Sequence, residues 1–135
     1  MAFANETTVA NIKPLEGAIV RRYSAGAAIT PGDAVCMSSD GYIDPADSDA
    51  LATNTVVGIA LVPRNQGSAY AAGDVVDVVT FGPVLCATGG TPGAYAYTSA
   101  TAGQMAESAG TKSLIVGFVE SATVVFVRPT PITLS

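Results

Sequence analysis

The sequence predicts an all-β domain, a small β-barrel or β-sandwich with one or two short helical turns. Three observations predict this class: short apolar segments rich in valine and isoleucine, the 14 glycines and 8 prolines that separate them, and a turn-and-strand pattern that occurs twice. A chain of 135 residues suits one domain with an ordinary hydrophobic core. We place this domain at residues 17–135. Residues 1–16 are small and polar without helical or strand periodicity, and they predict an extended N-terminal arm.

The repeated pattern divides the body into two related hairpin units, at approximately residues 27–62 and 88–120. Each unit begins with a Thr-Pro-Gly turn, continues through a short strand and a glycine turn, and ends in a longer apolar strand with a central Val-Gly step. The Thr-Pro-Gly turns start at Thr30 and Thr91, 61 residues apart, and the Val-Gly steps lie 59 residues apart. A duplicated unit of turns and strands indicates a scaffold selected for shape and self-association.

Strands are expected where β-branched and apolar residues are bounded by turn residues. We expect them at residues 17–23, 34–38, 55–62, 75–80, 84–87, 95–99, 114–120 and 123–128. Gly58 interrupts one of them and predicts a bulge or a close backbone contact. The strands are too uniformly apolar for a sheet with one well-solvated face, which indicates that other subunits cover part of the surface.

Turn and breaker residues define the remaining segments. Residues 44–51 begin with an Asp-Pro pair that suits the N-cap and first position of a short helical turn. A Phe-Gly-Pro sequence predicts a bend at residues 81–83, and two glycines predict a loop or single turn at residues 100–110. The prolines of residues 129–135 exclude that tail from a central strand.

The composition argues against an enzyme. The chain has no histidine, which removes the base of Ser-His-Asp and Cys-His arrangements and the commonest metal ligand. The glycine-rich segment 89–93 lacks the following lysine of a phosphate-binding loop. A net charge of −5 repels nucleic acid and anionic membranes. We therefore expect no catalytic residue, no cofactor, no nucleic-acid partner and no membrane partner.

Two further groups bear on metals and disulfides. The acidic cluster comprises Asp40, Asp44, Asp47 and Asp49. Its spacing does not match a calcium-binding loop, and a solvated hairpin followed by an N-cap explains the same residues, so we expect no metal site. Cys36 and Cys86 lie in apolar segments and are expected to be buried thiols, with a disulfide only if their strands are neighbours.

The order of the turns and strands is more specific than any one of them. It comprises a Pro-Gly-Asp turn at 31–33, an Asp-Gly hairpin at 40–41, a Val-Gly-Ile strand at 57–59, an Ala-Gly-Asp turn at 72–74 and a glycine-containing bend at 81–83, followed by the second unit. Over approximately residues 17–128 this order resembles the capsid cement, or head decoration, family of tailed bacteriophages. The resemblance implies a small β-rich structural protein on the outside of a phage head, made in the cytoplasm of the bacterial host.

The resemblance also implies two partners, the major capsid protein and further copies of the chain. Such proteins are commonly trimers over three-fold positions of the lattice, where they clamp neighbouring coat subunits, and their N-terminal arms often make the coat contact. Residues 1–22 hold three basic and two acidic residues, whereas the rest of the chain holds three basic and nine acidic ones. We predict capsid contacts at Asn11, Ile12, Lys13, Leu15, Arg21 and Arg22.

Two alternatives from other classes stay open at this point. The first is another virion structural module, such as a tail or fibre adaptor. The second is a small β-barrel ligand-binding domain, for which the sequence offers few polar groups beyond its five tyrosines.

Overall fold

A computed structural model describes residues 3–38, 40–46, 55–63, 69–99, 101–108 and 114–130, apart from the side chain of Thr130. Across these residues the chain is all-β with one short 3-10 helix at Val9–Asn11, which confirms the predicted fold class. The strands are β1 (Ala4–Asn5), β2 (Lys13–Pro14), β3 (Ile19–Ser24), β4 (Ala34–Met37), β5 (Ile43–Pro45), β6 (Val56–Ala60), β7 (Val75–Leu85), β8 (Ala87–Thr88), β9 (Tyr95–Thr98), β10 (Met105–Ala106), β11 (Ile115–Val119) and β12 (Val124–Thr130).

The strands form one large antiparallel sheet and one small two-stranded sheet. The order in the large sheet is β10-β9-β11-β12-β7-β6-β4-β5, and β2 and β3 also pair with β7. The small sheet consists of β1 and β8. β7 is therefore the central strand, with neighbours along both of its edges. The large sheet curls into a half-barrel.

Each hairpin unit is a three-stranded sheet whose first strand lies in the middle. β4 pairs with β5 and β6 in the first unit, and β9 pairs with β10 and β11 in the second. The third strand of each unit continues into β7 or β12, and these two strands pair with each other. The turns close with matching bonds, because Gly32 N–H donates to the oxygen of Ala60 and Gly93 N–H to that of Val119, both at 2.8 Å.

Both units carry the same irregularity at their Val-Gly step. The register between β4 and β6 shifts beside Gly58, and the register between β9 and β11 shifts beside Gly117. A Cβ added at Gly58 would lie 1.9 Å from the carbonyl oxygen of Val79, and one added at Gly117 would lie 1.9 Å from that of Phe126. Only glycine allows two strands to approach this closely. The close backbone contact predicted at Gly58 is confirmed.

The core consists of a main cluster shared by both units and a smaller cluster beside the first unit. The main cluster is built around valines of β7, β11 and β12: Val79, Val84, Val116, Val119, Val125 and Val127. The smaller cluster includes Ile29, Val35, Ile43, Tyr70 and Val76. Cys36 and Cys86 both lie in the main cluster, fully buried, and no disulfide joins them.

The structure corrects two predictions in the hairpins of the units. Asp44 and Pro45 belong to β5, so no helical turn begins at Asp44, and the rest of the predicted turn, from residue 47, lies outside the described residues. Pairing with β4 overrides the local N-cap signal at this position. The segment predicted as a loop at 100–110 contains β10, which pairs with β9.

Two further corrections concern the long strands. β7 continues through residues 81–83 instead of dividing, although Gly82 has a φ of 113° and the strand changes neighbours there. β12 extends through Pro129 to Thr130. Proline is tolerated because Pro129 lies beyond the pairing with β7, where the register with β11 shifts.

Candidate contact surface

Residues 13–24 lie along one edge of β7. β2 stands opposite residues 84–85 and β3 opposite residues 75–81, in nearly the same register. The two short strands are therefore parts of one edge strand, interrupted by a turn at residues 15–18. This turn fits against Gly82, where a Cβ would lie 2.7 Å from the Cα of Ala18. Glycine at this position allows the edge strand to cross the bend of β7.

The segment before this edge strand is fixed to the body by Asn5. The buried Asn5 side chain donates from Nδ2 to the carbonyl oxygens of Gly32 at 3.1 Å and Gly103 at 2.9 Å. Its Oδ1 accepts a hydrogen bond from the N–H of Met105 at 3.0 Å. β1 adds two residues of pairing with β8. The segment predicted as an extended arm therefore lies on the body and contacts both units.

The six predicted contact residues differ in exposure. The exposed ones are Asn11, Lys13, Arg21 and Arg22. Ile12 is only 4% exposed, and its side chain packs against the turn at Gly32. Leu15 is half-buried, and its N–H donates to the oxygen of Pro83 at 3.0 Å. The four polar residues can therefore reach a partner, whereas the two apolar ones hold the segment in place.

The two arginines of β3 have different surroundings. Arg22 Nε lies 3.4 Å from Oδ1 of Asp77, the residue directly opposite on β7, whose side chain is largely buried. Arg22 thus compensates a carboxylate that burial would otherwise destabilise. The guanidinium of Arg21 lies 6.0 Å from the centre of the Tyr23 ring and faces solvent.

A second surface was not predicted from the sequence. It is a row of aromatic side chains across four strands, which we call the aromatic row: Tyr95 on β9, Phe118 on β11, Phe126 on β12 and Phe81 on β7. Phe118 stands opposite both Tyr95 and Phe126. The rings of Phe118 and Phe126 stack at 5.2 Å, and Phe126 meets Phe81 edge to face at 5.2 Å. Phe118 and Phe126 alternate with buried valines, and this period-two pattern was the available sequence signal.

The acidic cluster is only partly described. Asp40 accepts bonds from the Ser38 hydroxyl at 2.6 Å and the Tyr42 N–H at 3.0 Å, which together hold the pKa of Asp40 below its usual value. Asp44 lies in β5, and Asp47 and Asp49 fall outside the described residues. Among the residues that the structure describes, no three or more His, Cys, Asp or Glu side chains form a group that could hold a metal ion. No helix within that part of the chain is long and apolar enough to cross a membrane.

Two buried groups have raised pKa values. Burial raises the pKa of the Cys86 thiol to about 12, which keeps it protonated and a poor nucleophile. Burial also raises the pKa of Asp33 to about 6, although its carboxylate accepts a bond from the Thr30 N–H at 2.9 Å. Asp33 packs against Gly103, where a Cβ would lie 2.5 Å from the Asp33 Cγ. Its shifted pKa therefore reflects burial between the two units.

A shallow cleft of about 360 Å³ opens beside Arg22. The polar side chains among its described lining residues are engaged within the protein: Arg22 pairs with Asp77, and the Tyr70 hydroxyl donates to the oxygen of Leu61 at 2.7 Å. Asp74 accepts a bond from the N–H of Ala71 at 2.8 Å. These bonds favour a structural role for the cleft over ligand binding.

Comparison with known proteins agrees with a structural role. A family model described as structural cement protein (E217 gp24/Pam3 gp6) matches residues 2–128. The chain belongs to this phage cement family. It is accordingly a structural protein of the phage particle, associated with the capsid. Its family indicates a non-enzymatic role. No curated protein matches the chain.

Proposed function

We propose that the protein decorates the outside of a phage capsid and stabilises it by clamping neighbouring subunits of the major capsid protein. The observation that carries this proposal is the edge strand at residues 13–24, which displays cations on a chain of net charge −5. Binding to the assembled shell but not to its separated subunits would stabilise the shell by mass action.

The coat contact consists of the exposed polar residues of the N-terminal segment and β3. Lys13 and Arg21 both face solvent on this edge, with Asn11 just before it and Arg22 beside Arg21. Charges placed in this way favour an acidic coat surface and increase the rate and specificity of docking. Ile12 and Leu15 support the contact from below by fixing the segment against the body.

β3 adds a second type of interaction. Among the described residues its pairing is with β7 alone, so its other edge presents backbone N–H and C=O groups. An extended coat segment could pair with this edge and gain main-chain hydrogen bonds. The resemblance to decoration proteins implies that the protein binds as a trimer, and sedimentation equilibrium of the purified protein measures its mass and so tests this copy number.

The test is addition of purified protein to emptied phage heads. Native protein should bind in a fixed stoichiometry and raise the temperature at which the heads rupture. The double variant Lys13→Glu, Arg21→Glu should bind at least about tenfold more weakly than the native protein, because it places acidic side chains against an acidic coat surface. The double variant Lys13→Arg, Arg21→Lys keeps both charges and should bind as the native protein does.

Point variants are preferred to deletion of residues 1–16, because that deletion also removes the buried Asn5 and Ile12. Unchanged binding of the charge-reversed variant would exclude this edge as the coat contact. Binding to tails or fibres in place of heads would support the adaptor alternative.

A further inference from the structure

Among the described residues, β3 is the longest strand that has a neighbour on one edge only. The end strands of the large sheet are short, since β10 has two residues and β5 has three, the last of them Pro45. β3 has six residues. Proteins commonly shorten their exposed edges or place proline on them, because free N–H and C=O groups recruit further strands. β3 therefore keeps an open edge of a kind that the end strands avoid.

A hydrogen bond of β7 fixes which backbone groups of β3 point outward. The carbonyl oxygen of Asp77 accepts a bond from Leu61 N–H at 2.8 Å, on the side of β6. Arg22 stands opposite Asp77 and therefore forms a non-hydrogen-bonded pair with it. The register is regular from Val20 to Ser24, and bonding direction alternates along an antiparallel pair, so the N–H and C=O groups of Val20 and Arg22 point away from β7. They offer two donors and two acceptors.

The open stretch of this edge has a defined end on each side. After β3, the bridge between Ala25 and Ile43 covers the edge. Before β3, Leu15 N–H donates to an oxygen of β7 at 3.0 Å, so the same alternation gives the outward position to Pro14, which has no N–H to offer. Within the described residues, the open edge therefore extends over residues 19–23, which suits a partner segment of about five residues.

Arg21 is the cation that the open edge presents to a partner strand. Its backbone groups point toward β7, so beside an outer strand Arg21 would occupy a non-hydrogen-bonded position, where facing side chains approach most closely. Its guanidinium faces solvent next to the Tyr23 ring. Arg22 lies on the opposite face of the strand and pairs with Asp77 within the chain. The charge available to a partner strand is thus that of Arg21.

We propose that the outer edge of β3 binds an extended segment of the coat protein that carries an acidic residue directly opposite Arg21. This inference rests on the proposed coat contact and adds the conformation and the chemistry of the segment that makes it. The backbone groups of Val20 and Arg22 hold the segment, and the carboxylate opposite Arg21 sets its register.

The same geometry disfavours a second copy of the chain on this edge. An antiparallel pair of β3 strands that used the bonds of both Val20 and Arg22 would place Arg21 of one copy directly opposite Arg21 of the other. Like charges that face each other across a strand pair destabilise it. A basic coat segment would meet the same repulsion, whereas an acidic one would meet an opposite charge.

The first test compares two variants at one outward position for binding to emptied phage heads. Val20→Pro removes an outward N–H and should bind at least about tenfold more weakly than the native protein. Val20→Thr keeps both the N–H and a β-branched side chain, and it should bind within about threefold of the native protein. Melting temperatures show whether each variant folds. If Val20→Pro does not fold, the cross-linking test decides alone.

The second test identifies the residue opposite Arg21. Arg21→Lys places a primary amine on the edge, and a carbodiimide joins such an amine to a carboxylate in contact with it. Mass spectrometry of treated heads should find position 21 of this variant joined to an Asp or Glu of the coat protein. The native protein is the control, because its guanidinium does not form this amide and position 21 should remain unlinked.

Two results would overturn the proposal. One is a folded Val20→Pro variant that binds heads as tightly as the native protein. The other is an Arg21→Lys variant that binds heads but gives no link from position 21 to the coat protein, or a link to another copy of the chain.

The outcomes also separate this inference from the proposed function. If Val20→Pro binds normally while the double variant Lys13→Glu, Arg21→Glu does not, strand pairing is refuted and the charged coat contact stands. A native protein that does not bind heads would refute the proposed function and this inference with it.

Discussion

The two hairpin units share a backbone but differ in what covers them. Tyr95, Tyr97 and Phe118 of the second unit lie on its partly exposed face. The positions that correspond to them in the first unit are Ala34, Cys36 and Ile59, and all three are fully buried in the main core. The first unit is thus buried on both faces, whereas the second has one face without cover from the described residues. The two units therefore share their strand pairing, whereas only the second carries aromatic side chains at these three positions.

The Thr-Pro-Gly turns of the two units also differ in what covers them. The turn at Gly32 lies beneath Ile12 and Asn5, whereas a Cβ at Gly93 would meet open space. Asp33 follows the first turn, and Ala94 follows the second. The N-terminal segment therefore covers the turn of the first unit and leaves the turn of the second unit exposed. Variants can test separately what the units share and where they differ.

The largest expected effect concerns the glycines that the units share. Gly58→Ala and Gly117→Ala should each cost more than about 4 kcal/mol of unfolding free energy, because the added Cβ would overlap a carbonyl oxygen of the next strand. Urea unfolding of each variant measures this cost. Gly93→Ala is the control, with a cost of about 1–2 kcal/mol from its φ of 91° alone. A mild effect at one of the two strand glycines would show that the units are not equivalent there.

The second largest loss of stability is expected at Asn5. Its side chain bonds to the turn of the first unit and to the hairpin of the second unit. Asn5→Ala removes three buried hydrogen bonds and should cost about 3 kcal/mol. Asn11→Ala, at an exposed position of the same segment, should change stability by less than about 0.5 kcal/mol. Equal melting temperatures of the two variants would contradict an anchoring role for Asn5.

A smaller and pH-dependent effect is expected at Asp33. Its folded pKa of about 6 lies above the ordinary value of 3.8, so between these values the folded state binds the proton more tightly than the unfolded state. The contribution of Asp33 to stability is therefore greatest below pH 3.8 and is lost as the pH rises through 6. Asp33→Asn should remove this dependence and stabilise the protein at pH 7 by about 1–3 kcal/mol.

Asp74 provides the control for this experiment. Its carboxylate accepts a bond from Ala71 N–H in an Ala-Ala-Gly-Asp turn, as that of Asp33 does from Thr30, but Asp74 is exposed. Asp74→Asn should not reproduce the gain in stability at pH 7 expected for Asp33→Asn, because no burial penalty is relieved at this exposed position. A native protein whose melting temperature rises steadily from pH 4 to pH 7, and an Asp33→Asn variant that behaves identically, would refute the assignment.

Much of the fold was predictable because most long strands follow local patterns in the sequence. Runs of valine and isoleucine between turn residues place β6, β7, β11 and β12, and the repeated Thr-Pro-Gly turn separates the units. The short strands β5 and β10 were not predicted, since two or three residues carry little pattern and pairing with a neighbour decides their conformation.

The surfaces were less predictable because they depend on register and on distant contacts. Alternation indicates that Phe118 and Phe126 point outward, but only the pairing of β11 with β12 makes them neighbours. The burial of Ile12 depends on a turn 20 residues away in the chain, at Gly32. An apolar side chain does not by itself predict burial in this segment, since Ile19 on the same edge is 54% exposed.

The bonds of Asn5 have a consequence for how the chain is made. Two of the three join residues 98 and 100 positions apart, so these two can form only after most of the polypeptide has left the ribosome. Contacts of such long sequence separation slow folding, because a large loop must close before they contribute. We therefore expect the second hairpin to form before the segment around Asn5 docks on it.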